Sequence, residues 1–164
     1  MEGKTVERIK RPVGYSRTEC THVLKYEDIN GANRLFGGRL MAWIDETGGF
    51  AAMRHSGCHV TTAAIDNLQF RRGATLNDMV VLISRLTWVG HTSMEVRVDS
   101  YIEDHDGMRS PINRAYVTYV AVDDVGHPIE MPYELDIRTE SEKAEWQGAI
   151  LRRENREQRK KEGF

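Results

Sequence analysis

The stretch Asn30-Gly-Ala-Asn-Arg-Leu-Phe36-Gly37-Gly38-Arg-Leu-Met41-Ala-Trp-Ile44-Asp45 decides how this chain is read. From Met41, apolar or small residues recur at Ile44, Gly48, Ala52 and then His55, steps of three and four that draw one face of a helix. Asp45 falls on that face or at its edge. An aspartate there must be paired, desolvated or put to use, because an unpaired buried charge is costly. Gly37 and Gly38 stand where the helix begins. Glycine lets another group approach the backbone closely, and first-turn N–H groups have no acceptor within the helix. Together with the positive end of the helix dipole they suit an oxygen that gains negative charge. A tight loop-to-helix turn would explain the glycine pair alone. Its conjunction with Asp45, seven residues after Gly38, and Asn30, seven before Gly37, points to a site.

Strands follow this helix. Residues 60–70 form an apolar-rich β-segment, and residues 78–89 are long and rich in β-branched side chains. Met94, Val96, Val98, Ser100 and Ile102 alternate with charged or polar partners, the pattern of a half-buried strand. Asp106-Gly107 marks a turn within a loop, and Ile112 to Val122 returns as another strand. Val89-Gly90-His91 closes the hairpin before it. One long helix ahead of at least four meandering strands predicts an α+β fold, an antiparallel sheet wrapped around the helix.

With 164 residues the chain makes one domain with a sizeable core, and its net charge of −2 recruits neither nucleic acid nor an anionic membrane. No apolar run approaches the roughly 18 residues of a membrane span, and Met1-Glu2-Gly3-Lys4 opens no signal segment, so a cytoplasmic location is expected. Cys20 and Cys58, the two cysteines, read as reduced structural thiols. The cluster His55-Ser-Gly-Cys58-His59, even with Cys20 and His22, has no usual zinc spacing, and no metal is expected. Adjacent Cys58 and His59 likewise lack the geometry of a nucleophile pair.

Residues from Arg138 onward change character. Thr139-Glu-Ser-Glu142 is a capping box, and Trp146, Ile150 and Leu151 make a thin apolar stripe on the helix it starts. Arg152, Arg153, Arg156, Arg159, Lys160 and Lys161 are interleaved with Glu154, Glu157 and Glu162, the pattern of a solvated helix rather than a nucleic-acid surface. The expected organisation is an N-terminal extension over 1–17, a core domain over 18–137 and a charged C-terminal helix over 138–164.

Between residues 18 and 133 the chain resembles the acyl-CoA thioesterases of the hotdog superfamily, in particular the bacterial short- and medium-chain enzymes and the duplicated mammalian cytosolic acyl-CoA hydrolase. The residues that carry the likeness are Asn30, Phe36-Gly37-Gly38, Leu40-Met41, Ile44-Asp45-Glu46, Gly48 and Ala51-Ala52. Further on they are Val60-Thr61, Ile65-Asp66 to Phe70, Asp78, Val89-Gly90 with Thr92 to Val96, and Tyr119 to Asp123. The resemblance implies the hotdog fold and hydrolysis of acyl-CoA to fatty acid and coenzyme A, with no cofactor beyond the coenzyme A of the substrate. It also implies a homodimer whose sites take Asn30 and Asp45 from opposite subunits, assembled into a hexamer or tetramer.

The chemistry needs little more than these residues. A thiol of pKa near ~8.5 leaves readily as thiolate, so one carboxylate and one set of N–H donors could replace a triad. Asp45 is assigned as general base on water, with direct attack to an acyl-aspartyl anhydride as the competing role. The Gly38 N–H polarises the thioester carbonyl and Asn30 positions the water. Phe36 and Gly37 belong to the same substrate-binding segment. Arg71, Arg72, His91, Thr92 and Ser93 form the coenzyme cradle that the family implies. Two departures stand out: His91 replaces the family's usual basic residue, and Gly73 a frequent proline.

Two rival readings share the fold. A non-catalytic acyl-CoA sensor would need an effector domain, for which the segment before the core is too short to hold a helix-turn-helix. A hotdog hydratase would need a histidine four or five residues past Asp45, whereas His55 stands ten residues on.

Overall fold

The computed structural model describes residues 8–66 and 68–164; the start of the expected N-terminal extension and Asn67 lie outside the described residues. Two short strands come first, β1 (Ile9–Pro12) and β2 (Thr18–Val23). Helix α1 (Gly37–Ser56) follows, then β3 (His59–Asp66), β4 (Met79–Val89), β5 (Ser93–Glu103), β6 (Arg109–Val122), β7 (Tyr133–Asp136) and helix α2 (Glu140–Glu162). Five strands form an antiparallel sheet in the order β2-β4-β5-β6-β3. α1 packs across one face of it and α2 lies on β4 from the other side. This is the expected hotdog arrangement.

α1 forms where the apolar spacing places it. Ile44, Gly48, Ala52 and His55 are buried against the sheet, joined by Leu40 and Ala51. Met41 departs from that pattern and is 40% exposed. The helix stops at Gly57, whose φ of 69° is the left-handed conformation that glycine accepts and whose N–H donates to the Met53 carbonyl. Opposite α1 stand Val80, Leu82, Leu86, Met94, Val96, Val98, Val117 and Ala121. Each such Val, Leu or Met side chain, fully buried, contributes about 1.5–3 kcal/mol of transfer free energy.

Three expectations change. The segment over 60–70 is a strand only to Asp66, and Arg71 and Arg72 therefore sit in a loop. The turn at Gly107 is tight, with Asp104 N–H donating to the Met108 carbonyl and Gly107 N–H to the Asp104 carbonyl. β5 is buried on both faces, because Glu95 and Arg97 are paired with Arg152 and Glu145 of α2, and Asp99 with Arg85, Arg97 and Arg114 of the sheet, rather than solvated.

α2 starts at the capping box: the Glu142 N–H donates to Thr139 Oγ1, and the Thr139 N–H to the Glu142 carboxylate. Its inward face is more charged than the sequence suggests. Arg152 grips Glu95, while Arg156 and Arg159 reach Asp66 at the end of β3. Of the apolar stripe only Trp146 packs against the core; Ala149 is the buried residue, and Ile150 and Leu151 are exposed. A parallel pair, β1 with β7, brings Ile9 beside Tyr133 outside the main sheet.

Candidate active site

Asp45 sits at mid-helix on α1, half-buried, where that helix crosses β3 and β6. Its Oδ1 accepts a hydrogen bond from the Thr62 hydroxyl at 2.5 Å. The Tyr119 hydroxyl donates to the Asp45 carbonyl at 2.7 Å and lies 3.4 Å from the same Oδ1. Thr62 and Tyr119 are register partners across the β3–β6 pair, so the two hydroxyls arrive from the same rung of one ladder. A bulge between Thr62 and Ala64 shifts the register just beyond them, and such bulges commonly re-aim side chains. Burial and the neighbouring Asp45 charge push the Tyr119 phenol well above its ordinary range, so it remains a donor. The hydrogen-bonding side chains around this carboxylate, among the described residues, are neutral hydroxyls.

At the start of α1, Gly37 and Gly38 are overlain by aromatic rings. A Cβ on Gly38 would stand 2.6 Å from the Phe36 ring, and one on Gly37 would stand 3.3 Å from the Phe70 ring. Glycine lets both rings close on the backbone here, and a side chain at Gly38 would displace the Phe36 ring. The Arg39 guanidinium pairs with Asp28 at 3.0 Å and ties this turn to the preceding segment, and the Phe36 N–H donates to the Asp28 carbonyl.

A cavity of about 350 Å³ beside this turn is lined by Asn30, Arg34, Gly37, Phe70, Arg71 and Arg72, among others. Four of the sequence-selected residues therefore meet: Asn30, Gly37, Arg71 and Arg72. Asn30 Oδ1 accepts from the N–H groups of Ala32 and Arg34 at 2.9 and 3.2 Å. With the oxygen so engaged, the outward chemistry of Asn30 is donation from its NH2 group.

The other selected residues lie apart. Asp45 is seven residues beyond Gly38 on the same helix, about 10 Å along its axis at ~1.5 Å per residue. His91, Thr92 and Ser93 sit at the β4–β5 hairpin, closed by the Gly90 N–H donating to the Ser93 carbonyl. The His91 imidazole is exposed beside Glu130, and Ser93 lines a separate cavity with Trp88, Arg153 and Arg156. Within one chain the selected residues thus fall in three separate places.

A model of the thioesterase superfamily matches residues 32–108. The uncharacterized acyl-CoA thioester hydrolase YkhA of Bacillus subtilis is 37% identical over 136 residues, covering 82% of this chain and 78% of that protein. The chain belongs to the thioesterase superfamily. Among solved structures it is similar to a hexameric acyl-CoA thioesterase in its apo form, at 37% identity and TM-score 0.86 over 92% of this chain and 97% of the other. It is equally similar in shape to the acyl-CoA hydrolase of Staphylococcus aureus in complex with butyryl coenzyme A, coenzyme A and coenzyme A disulfide. There the TM-score is 0.86 at 30% identity, with 94% of each chain covered. Variants of that hydrolase with an aspartate, an asparagine or a threonine changed to alanine have also been solved.

In this superfamily member the sequence alone selects the carboxylate, the glycine pair and the asparagine as candidates, and gives no sign that Thr62 and Tyr119 touch the carboxylate. Tyr119 opens a segment that resembles the family, and Thr62 directly follows another, Val60-Thr61. Their convergence on Asp45 depends on strand register and a bulge, which no local pattern encodes.

Proposed function

We propose that this chain hydrolyses acyl-CoA thioesters to a carboxylic acid and coenzyme A, in sites shared by two protomers. The observation that carries the proposal is the Asp45 carboxylate, held on one oxygen by two neutral hydroxyls and half-open at mid-helix. A carboxylate neutralised by an arginine would be a poor base; one held only by hydroxyls keeps its charge available for a proton.

The reaction follows from groups already described. Asp45 takes a proton from water while the water oxygen bonds to the thioester carbon. The carbonyl oxygen becomes an oxyanion facing the Gly38 N–H at the positive end of α1. The C–S bond then breaks, its electron pair leaving with sulfur as thiolate. In the competing route Asp45 itself attacks, and water hydrolyses the acyl-aspartyl anhydride. The Asn30 NH2 group donates to the water or to the thioester oxygen.

The separation of the cavity at Asn30 from Asp45 supports a dimer in which each site draws on both chains. β3, one of the two edge strands of the sheet, and the exposed Met41, Phe50 and Met53 on α1 are surfaces available for pairing. We assign the homodimer as the active unit within a hexamer or tetramer. Arg71, Arg72, His91, Thr92 and Ser93 are proposed to hold the phosphates and nucleotide of coenzyme A. The free thiols of Cys20 and Cys58 accord with a cytoplasmic protein, and none of the helices among the described residues is long and apolar enough to cross a membrane. A hydratase is disfavoured because His55, its nearest candidate base, is fully buried in the core.

The test is release of free thiol from acetyl-, butyryl-, hexanoyl- and palmitoyl-CoA, followed with a chromogenic disulfide. Enzymic hydrolysis of at least one chain length is expected. Binding of all four without thiol release would leave only the sensor reading.

A further inference from the structure

We infer that Tyr119 is a positioning residue that fixes which oxygen of the Asp45 carboxylate meets the water or the thioester. The inference rests on the reading of Asp45 as the catalytic carboxylate. Tyr119 is 1% exposed, and its ring fills the core beneath α1. Its hydroxyl, however, is aimed at a single residue. It donates at 2.7 Å to the Asp45 main-chain carbonyl and stands 3.4 Å from Oδ1 of the same side chain.

One donor thus spans the backbone and the carboxylate of one residue, and the Thr62 hydroxyl holds the same Oδ1 at 2.5 Å. Rotation of the Asp45 side chain would break the Thr62 bond and draw Oδ1 away from the phenol. With Oδ1 so engaged, Oδ2 is the oxygen without a side-chain donor among the described residues, and it is the one left to react.

The helix is built to admit this hydroxyl. Gly48 lies on the face of α1 toward Tyr119, and a Cβ there would come within 2.4 Å of the phenol oxygen. The nearest ring carbon would be 3.2 Å away. Alanine is a much better residue than glycine at mid-helix. The oxygen is the severe clash at the position; the ring carbons at 3.2 Å are tight but need to give by only a few tenths of an ångström. Gly48 and Tyr119 therefore act as one device: the missing methyl group makes room for the hydroxyl that orients Asp45.

The two substitutions that separate this role from simple core filling are Tyr119→Phe and Gly48→Ala. Tyr119→Phe keeps the ring and removes only the oxygen. It should fold, bind acyl-CoA with KM within about twofold of the parent, and lose about 10–100-fold in kcat, the scale of a misaligned reacting group. Gly48→Ala should show a similar kcat loss alone and little further loss when added to Tyr119→Phe, where no oxygen remains to collide. A role confined to packing would leave kcat of Tyr119→Phe at the parent value and make the two changes additive.

Asp45→Asn is measured alongside. If Asp45→Asn is inactive while Tyr119→Phe turns over like the parent, the inference about Tyr119 is overturned and the reading of Asp45 stands. If Asp45→Asn retains its turnover, both fall. Should Gly48→Ala fail to fold, the kcat and KM of Tyr119→Phe still decide the matter.

Discussion

Arg152 on α2 and Glu95 on β5 meet as a doubly hydrogen-bonded ion pair, at 3.0 and 2.7 Å, beneath the helix that covers them. Glu95 is 1% exposed and also accepts from the Thr87 hydroxyl at 2.6 Å, while the Arg152 guanidinium lies 3.5 Å from the centre of the Tyr116 ring. Removing one partner of a buried pair leaves an uncompensated charge, which costs about 3–5 kcal/mol. Arg156, 3.9 Å from Glu95, offsets part of that. Arg152→Ala should therefore destabilise the protein by about 3 kcal/mol in urea unfolding. Arg152→Ala with Glu95→Leu should recover much of the loss, because desolvation of the charge disappears with it. Parental stability in the single variant would mean that α2 is not held by this pair.

His55 gives the protein an acid limit. The imidazole is fully buried, with the Glu134 backbone and Arg11 close by. Burial first, and the arginine second, lower its pKa from 6.5 to about 4. A base whose folded pKa is depressed stabilises the fold above its unfolded pKa and opposes it as pH falls. Stability should thus decline from pH 6.5 toward pH 4, by up to about 3 kcal/mol from this group. In His55→Leu that part of the acid slope should flatten. An unchanged slope over the same window would assign acid sensitivity to other groups.

The coenzyme cradle is tested through binding. Phosphate contacts far from the thioester act on KM more than on kcat. Replacing Arg71 and Arg72 with alanine should raise KM for acyl-CoA several-fold and leave an acyl-pantetheine substrate nearly unaffected. Added salt should weaken the parent more than the variant. Equal KM values at low salt would mean that these exposed arginines are only a loop surface.

Sharing of sites between protomers makes a quantitative expectation. Asn30→Ala and Asp45→Asn chains, each inactive, are unfolded together and refolded in equal amounts. Half of the dimers are then mixed, and one of the two sites in each holds both intact residues. Recovery of roughly a quarter of parental activity is expected. No recovery, with mixed dimers demonstrated by mass, would put both residues in the same chain's site.

Much of this architecture is legible in the sequence, for identifiable reasons. Ile44, Gly48, Ala52 and His55 repeat with the helix, and Met94, Val96 and Val98 repeat with the pleat, so each element declares its own period. β2 escapes notice because Thr18-Glu-Cys-Thr-His-Val23 has no apolar alternation, and β1 because its partner β7 lies at the far end of the chain. Glu95 and Arg97 read as solvated because a strand cannot announce that a later helix carries the opposing charges, and Asp99 because its arginines stand on neighbouring strands as well as its own. The same holds at the site. Asp45, Asn30 and the glycines are local signals, whereas Thr62 and Tyr119 reach Asp45 only through the pairing of two strands distant in sequence.

The central claim is that Asp45 turns over the thioester. The direct measurement is the rate of thiol release from the best acyl-CoA substrate by the parent and by Asp45→Asn, with the fold of both verified by circular dichroism. Asparagine is nearly isosteric and can still accept from Thr62, so the variant should fold normally. Its kcat should fall by about 10²–10⁴-fold, the usual contribution of a positioned proton-transfer group. A folded Asp45→Asn protein that keeps half of the parental kcat would contradict the account.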